Sequence, residues 1–212
     1  MKKIAIFKII MFSIVSILLI GILIYGLTSK KEGFYLNLGG FLYANESKYE
    51  VAKEEVQLLD LDVNEIEVNW IGGNVLVRYS EDTNIYFKET FNDKDDNSDY
   101  LMRYLLKNNK LTIQFCKSKW YVKKKIRDNK NLEIYLPKKV YNEIDISSVN
   151  ANIDYQGSTE SSCMNLKLES VSGDILLNQI TTKNLKIENV SGNINIIDVQ
   201  SDKEIEIDSV SG

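Results

Sequence analysis

Leu166-Lys-Leu-Glu-Ser-Val-Ser-Gly-Asp-Ile175 is followed by Leu185-Lys-Ile-Glu-Asn-Val-Ser-Gly-Asn-Ile194 and then by Ile205-Glu-Ile-Asp-Ser-Val-Ser-Gly212. Counted between Val171, Val190 and Val210, the spacings are 19 and 20 residues. Apolar and polar residues alternate within each copy. Leu185, Ile187 and Val190 read as the inward set, against Lys186 and Glu188. A period of two predicts a strand with one buried face. Ser-Gly then interrupts the run, and glycine takes positive φ at no steric cost, so the pair reads as a corner. Such a unit cannot bury its apolar face alone. Successive units stacked at ~4.8 Å make a continuous core, and a repeat of about 20 residues suits one coil of a β-solenoid.

Two weaker copies lie upstream. Ile144-Asp-Ile-Ser-Ser-Val-Asn-Ala-Asn-Ile153 carries Asn150-Ala151 at its corner, where asparagine's tolerance of the left-handed region predicts that the turn still forms. Ile66-Glu-Val-Asn-Trp-Ile-Gly-Gly-Asn-Val75 carries Gly72-Gly73. The corner positions are thus Gly73, Gly173, Gly192 and Gly212. The expected fold class is all-β: a parallel β-helix-like solenoid of about 20-residue coils, preceded by one transmembrane helix. The chain stops at Gly212, where another strand is due, so the repeat domain is expected to continue beyond it.

The organisation expected is an N-terminal anchor with basic flanks over 1–31, a juxtamembrane linker over 32–55 and the repeat domain over 56–212. Ile9 to Leu27 is a 19-residue charge-free stretch, which as a helix spans about 28 Å, a bilayer core. Ile4 to Leu27 lacks a good cleavage site, so it reads as an uncleaved anchor. Lys2, Lys3 and Lys8 precede the charge-free stretch and Lys30 and Lys31 follow it, a modest bias that favours the N-terminus inside and the body outside. The linker holds Phe34, Tyr35, Phe41 and Tyr43, placed either at headgroup level or against the first coil.

Charge and composition exclude several functions. Residues 1–31 hold five lysines and no acid, leaving 21 basic against 30 acidic side chains in the rest. A body of that sign does not suit nonspecific nucleic-acid binding. The chain has no histidine, which removes Ser-His-Asp and Cys-His nucleophile systems and histidine-ligated metals. No cofactor and no enzymatic activity are expected. Cys116 and Cys163, in no CxxC arrangement, read as small buried residues rather than a disulfide.

From Val56 the strand pattern runs through Leu59, Leu61, Ile66, Val68, Trp70, Val75, Val77, Tyr79, Ile85 and Phe87. Tyr100 to Lys107 reads as a short helix capped by Ser98 or Asp99. Leu111–Phe115 and Leu132–Pro137 read as strands, the second stopped by the only proline.

The order of these pieces resembles the bacterial putative-adhesin family of β-strand repeats, which includes LiaG-like membrane-anchored proteins. The matching pieces are Ile66–Val77, Asn109-Lys-Leu-Thr-Ile-Gln-Phe115, Asn131-Leu-Glu-Ile-Tyr-Leu-Pro-Lys138 with Ile144-Asp-Ile146, and the serial Val-Ser-Gly-Asp/Asn-Ile corners. The resemblance implies a parallel β-helix-like fold, placement in the cell envelope and no enzymatic activity. The chain departs from the pattern at Asn150-Ala151.

Three constellations remain as candidate surfaces. Lys107 to Lys130 holds nine basic residues and one acid, Asp128. Within it, Lys119, Trp120, Lys123, Lys124, Lys125 and Arg127 form a contact for anionic envelope polymer or lipid headgroups; the plainer alternative is a solvated loop that pairs with the Asp93–Asp99 loop. Glu169, Glu188 and Asp208 fall at one repeat position, with Lys167 and Lys186 two residues before; a salt-linked face is expected over a cation row. Asn74, Asn152, Asp174 and Asn193 follow the corners and should satisfy turn backbone. The functional expectation is an envelope binding or adhesion module, with the membrane reached through one span. The rivals are an accessory component of an envelope-stress system with a membrane-protein partner, and a scaffold that polymerises end to end.

Overall fold

A computed structural model describes residues 47–53, 55–59, 62–91, 98–118 and 122–211. Apart from Ser118 these belong to one compact unit, Asn45–Lys117 with Val122–Gly212. The expected anchor Ile4–Leu27, the juxtamembrane aromatics, Lys119, Trp120 and Gly212 lie outside the described residues. Among the described residues no helix is long and apolar enough to cross a membrane.

The strands are β1 (Glu50–Val51), β2 (Val56–Leu58), β3 (Glu65–Ser80), β4 (Ile85–Phe91), β5 (Arg103–Lys107), β6 (Lys110–Gln114), β7 (Lys130–Pro137), β8 (Val140–Gln156), β9 (Ser162–Ser172), β10 (Ile175–Ser191) and β11 (Ile194–Ser211), with one short helix, α1 (Lys124–Asn129), before β7. β3, β8, β9, β10 and β11 stack in parallel. The register is the one the repeats demand. Ile66, Ile144, Leu166, Leu185 and Ile205 form one column; Val68, Ile146, Leu168, Ile187 and Ile207 form the next. Past the corner, Val75, Ile153, Ile175 and Ile194 stack likewise. Except in the last coil these side chains are buried, and together they are the core.

The corner glycines are required by both conformation and space. Gly192 has φ +130°, and a Cβ there would sit 2.3 Å from the Gly173 carbonyl oxygen of the coil beneath. Gly73 has φ +76° and meets the Lys130 carbonyl oxygen in the same way. The Asn150-Ala151 corner closes differently from expectation. Neither residue has positive φ; instead the Ser148 hydroxyl accepts the Ala151 N–H at 2.7 Å and holds the turn from inside.

That serine exposes a second correction. Val171 and Val190 are 50% and 48% exposed, so they point outward. The inward column is Trp70, Ser148, Ser170, Asn189 and Ser209. Strict period two from Ile187 leads to Asn189, not to Val190. The polar inward residue serves the corner: Asn189 donates to the Gly192 carbonyl at 3.0 Å.

The first coil is closed by an insertion. β6 lies parallel on the first limb of β3 and β7 on the second. β5 and β1 continue outward from β6, and β4 and β2 from β7, all antiparallel. The segment expected as a helix over Tyr100–Lys107 is instead a 3-10 turn at Ser98–Tyr100 followed by β5. Asn108 and Asn109 explain this, since both take positive φ (53° and 65°), the turn that joins antiparallel strands without splaying them. Pairing with β6 outweighs local helical preference. Leu59, expected in the strand pattern, is exposed beyond the end of β2. Glu50–Val51, assigned to the linker by sequence, pair with β5.

Candidate binding surfaces

Three surfaces and one buried centre hold the polar chemistry of the unit. The first surface is α1. Lys123, Lys124 and Lys125 are exposed, whereas Ile126 is buried and fixes the helix to the unit. Gly72 permits that approach, for a Cβ there would lie 2.4 Å from the Arg127 carbonyl oxygen. Arg127 pairs with Asp128 at 3.1 Å, and the Lys123 ammonium sits 5.7 Å from the centre of the Tyr100 ring. Of the expected contact residues, the fold therefore displays Lys123, Lys124 and Lys125 together and turns Arg127 partly inward. Lys117 pairs with Asp99 at 3.6 Å, as the solvated-loop alternative requires. Lys110 pairs with Glu67 at 2.6 Å.

Lys130, counted by sequence within that basic run, is not part of any surface. Its side chain is 0% exposed. The ammonium binds the Glu89 carboxylate at 2.5 Å, the Tyr100 carbonyl at 2.6 Å and the Phe115 carbonyl, which matches its three N–H donors. The rings of Phe115 and Trp70 lie 4.5 and 5.3 Å away. Burial pulls the lysine below its usual range and pushes Glu89 above its own, against the attraction between them. The pair ties separate segments of the insertion to one another, with the Trp70 ring of the first coil beside the ammonium. No pattern in the sequence marks it, because a lysine in a basic run gives no sign of burial.

The second surface is the outer face of β8 to β11. Glu169, Glu188 and Asp208 stand in one column. Lys186 bridges Glu188 at 2.8 Å and Glu206 of the next coil at 3.0 Å. Lys167 pairs with Glu169 and reaches Asp145 of the preceding coil at 3.9 Å. The expected salt-linked face is present. Asp145 is pushed up to about 6, first by burial and then by Glu169, Glu67 and Glu143, with Lys167 opposing. Glu188 is held below its usual range chiefly by Lys186. Beside this column a groove of about 490 Å³ runs across the coils, with Val171, Val190 and Val210 among its lining.

The third surface is the corner column, where Asn152 and Asp174 satisfy turn backbone as expected and Asn74 instead accepts from the Asn152 side-chain amide at 3.2 Å. The Asn152 side-chain oxygen accepts the Asp174 N–H at 3.0 Å, and the Asp174 carboxylate accepts the Asn193 N–H at 2.8 Å. Asn131, unforeseen, begins the ladder by accepting the Asn74 N–H at 3.0 Å. Cys116 and Cys163 are both free and buried, and burial pushes the Cys163 thiol up to about 12, which leaves it protonated and unreactive.

In-register parallel coils, glycine corners, an asparagine ladder and salt-linked outer columns define a β-repeat protein of solenoid type. The chain belongs to the Toastrack DUF4097 family, whose model matches residues 63–212. Among solved structures, it is similar to a putative cell adhesion protein from Clostridium sporogenes at 12% identity and TM-score 0.41, over 74% of this chain and 100% of that one. It is also similar to a putative adhesin from Parabacteroides merdae at 12% identity and TM-score 0.28, over 79% of this chain and 96% of that one. No curated protein matches it.

Proposed function

We propose that the protein is a non-catalytic module of the cell envelope that works by surface contact. In this reading it is held to the membrane by Ile4–Leu27, with the repeat domain outside, and meets anionic envelope polymer through the lysines of α1. The observation that carries the reading is the run Lys123–Lys125, exposed together at the start of a helix fixed by buried Ile126. Lys119 and Trp120 extend the same run in sequence. Each basic side chain near an anionic surface contributes about 1 kcal/mol, so three lysines give weak contact that salt screens and many copies reinforce. Membership of the Toastrack family supports a repeat scaffold built for display. The pairing of shifted groups supports the absence of catalysis: Lys130 with Glu89, and Lys186 with Glu188, neutralise each other within the fold.

The test is the triple charge reversal Lys123→Glu, Lys124→Glu, Lys125→Glu, assayed by co-sedimentation with poly(glycerol phosphate) and with phosphatidylglycerol vesicles. Binding should fall at least tenfold and lose its salt dependence. Unchanged binding to both probes discards the basic contact. Protease shaving of intact cells should cut the repeat domain; protection in intact cells with cleavage after lysis would reject the external placement.

A further inference from the structure

Alternation carries past the corner onto the outer face of the second limb. Phe87, Ile134, Val77, Tyr155 and Leu177 are buried, so Tyr86, Tyr135, Arg78, Gln156 and Asn178, each one residue away, point outward. Pairing sets them in one row. Tyr86 lies opposite Tyr135, and Tyr135 opposite Arg78. β3 and β8 are in register through Val77 and Tyr155, which brings Gln156 beside Arg78, and Gln156 lies opposite Asn178. The strands β4, β7, β3, β8 and β10 thus contribute one side chain each, at steps of ~4.8 Å.

The row divides by chemistry. At one end stand two aromatic rings. Tyr135 is 37% exposed and Tyr86 half-buried, and neither packs against another aromatic ring among the described residues. Their hydroxyls are tied. Tyr86 donates to the Asp82 carboxylate at 2.6 Å and accepts from the Gln57 amide at 3.1 Å, and Tyr135 donates to Glu133 at 3.3 Å. Rings held in this way have little rotamer freedom left to lose on binding. At the other end stand amides. Gln156 donates to Gln179 and accepts from Asn178, both at 3.0 Å, which leaves amide donors and acceptors to spare. Charge along the row cancels: Arg78 is paired with Asp154 at 2.7 Å and, beside it, Lys88 with Glu133 at 3.2 Å.

One class of ligand matches this order. Aromatic ring faces carry partial negative charge and take the C–H face of a sugar, while fixed amides take its hydroxyls. A charge-compensated row suits a neutral ligand, and the Asp82 carboxylate beside Tyr86 repels an anionic polymer. Five side chains in line are far fewer than the about 20–30 residues that a stable protein interface engages on each side. They suit a ligand one sugar wide, whose repeating rings cross the strands step by step. We propose that the outer face of the second limb, from Tyr86 and Tyr135 to Gln156 and Asn178, is a binding platform for a neutral, extended polysaccharide. The basic helix plays no part in this, so either contact can fail alone.

The probes are cellohexaose and chitohexaose, titrated calorimetrically into the full chain in a detergent without a sugar headgroup. At least one should bind saturably, and that binding should survive both about 0.5 M salt and the triple charge reversal at Lys123, Lys124 and Lys125. Tyr86→Ala and Tyr135→Ala should each weaken it at least tenfold. Tyr135→Phe, which keeps the ring, should stay within about threefold of the native chain, whereas Tyr135→Leu, which keeps apolar bulk without a ring face, should lose as much as Tyr135→Ala. The phenylalanine and leucine variants keep the test valid should Tyr135→Ala loosen β7. No saturable binding of either hexasaccharide, binding abolished by salt, or equal binding by Tyr135→Leu and the native chain overturns the proposal.

Discussion

Replacing Lys130 with methionine keeps the side chain's length and volume but removes the ammonium, so no cavity confuses the outcome. Three partners are then deserted: the Glu89 carboxylate and the carbonyls of Tyr100 and Phe115. Among the described residues Glu89 keeps only the Met102 N–H at 3.0 Å. Two orphaned carbonyls cost on the order of 1 kcal/mol each, and an unpaired buried carboxylate brings the total to about 3–5 kcal/mol. That is a large share of the ~5–15 kcal/mol that stabilises a typical domain. Glu89 already has a raised pKa in the native fold, with burial as the first cause. A carboxyl raised in the folded state gains stability on protonation, so the deficit of Lys130→Met should shrink as pH falls from 7 towards 5. Adding Glu89→Gln should recover at least ~2 kcal/mol of the loss, a coupling that only contacting residues show. Urea unfolding of the native chain, both single variants and the double variant at two pH values supplies every term. A loss under ~1 kcal/mol for Lys130→Met, or losses that simply add in the double variant, would refute the reasoning.

Gly192→Ala should cost at least ~2 kcal/mol by chemical denaturation, because it combines φ +130° with a 2.3 Å approach to the Gly173 oxygen; a cost below ~0.5 kcal/mol would deny the tight corner. Asp145, raised from 3.8 to about 6 with its side chain 24% exposed, is neutral in both states at low pH and costs stability as pH climbs through about 4 to 6. Asp145→Asn should therefore raise stability above pH 6 by roughly 1–2 kcal/mol, less than the full shift because the Lys167 contact goes too, and the gain should vanish below pH 4; a gain independent of pH would contradict this. Val190→Thr should change the melting temperature by less than ~2 °C, whereas Ile187→Ala should cost about 2–5 kcal/mol; equal losses would place Val190 in the core after all.

The repeated copies made the stack legible in the sequence, because five alternating runs with corners at matching positions leave one register that stacks the columns of Ile66 and Val68 on the inside. The asparagine ladder and the lysine–glutamate columns were legible for the same reason, since stacking turns a position in the repeat into a neighbour in space. Elsewhere, local signals misled, once even within a repeat copy. Leu101 to Leu106 has helical composition, but pairing with Leu111–Gln114 and the left-handed Asn108-Asn109 turn make Arg103–Lys107 a strand. Val190 drew the apolar assignment by residue type, while parity pointed to Asn189, whose corner bond explains a buried amide. Lys130 gave no sign at all, because its partners Glu89, Tyr100 and Phe115 come from separate segments of the insertion.

The central claim is that successive coils lie parallel and in register, so that Glu188 faces Glu169. Directly opposed residues in such a ladder have Cα atoms ~4.8 Å apart, within disulfide range. Glu169→Cys with Glu188→Cys should cross-link readily under mild oxidation, and mass spectrometry should recover that linked pair, while Glu169→Cys with Val190→Cys should link slowly. Fast linkage of 169 to 190 with none of 169 to 188 would contradict the stacked register.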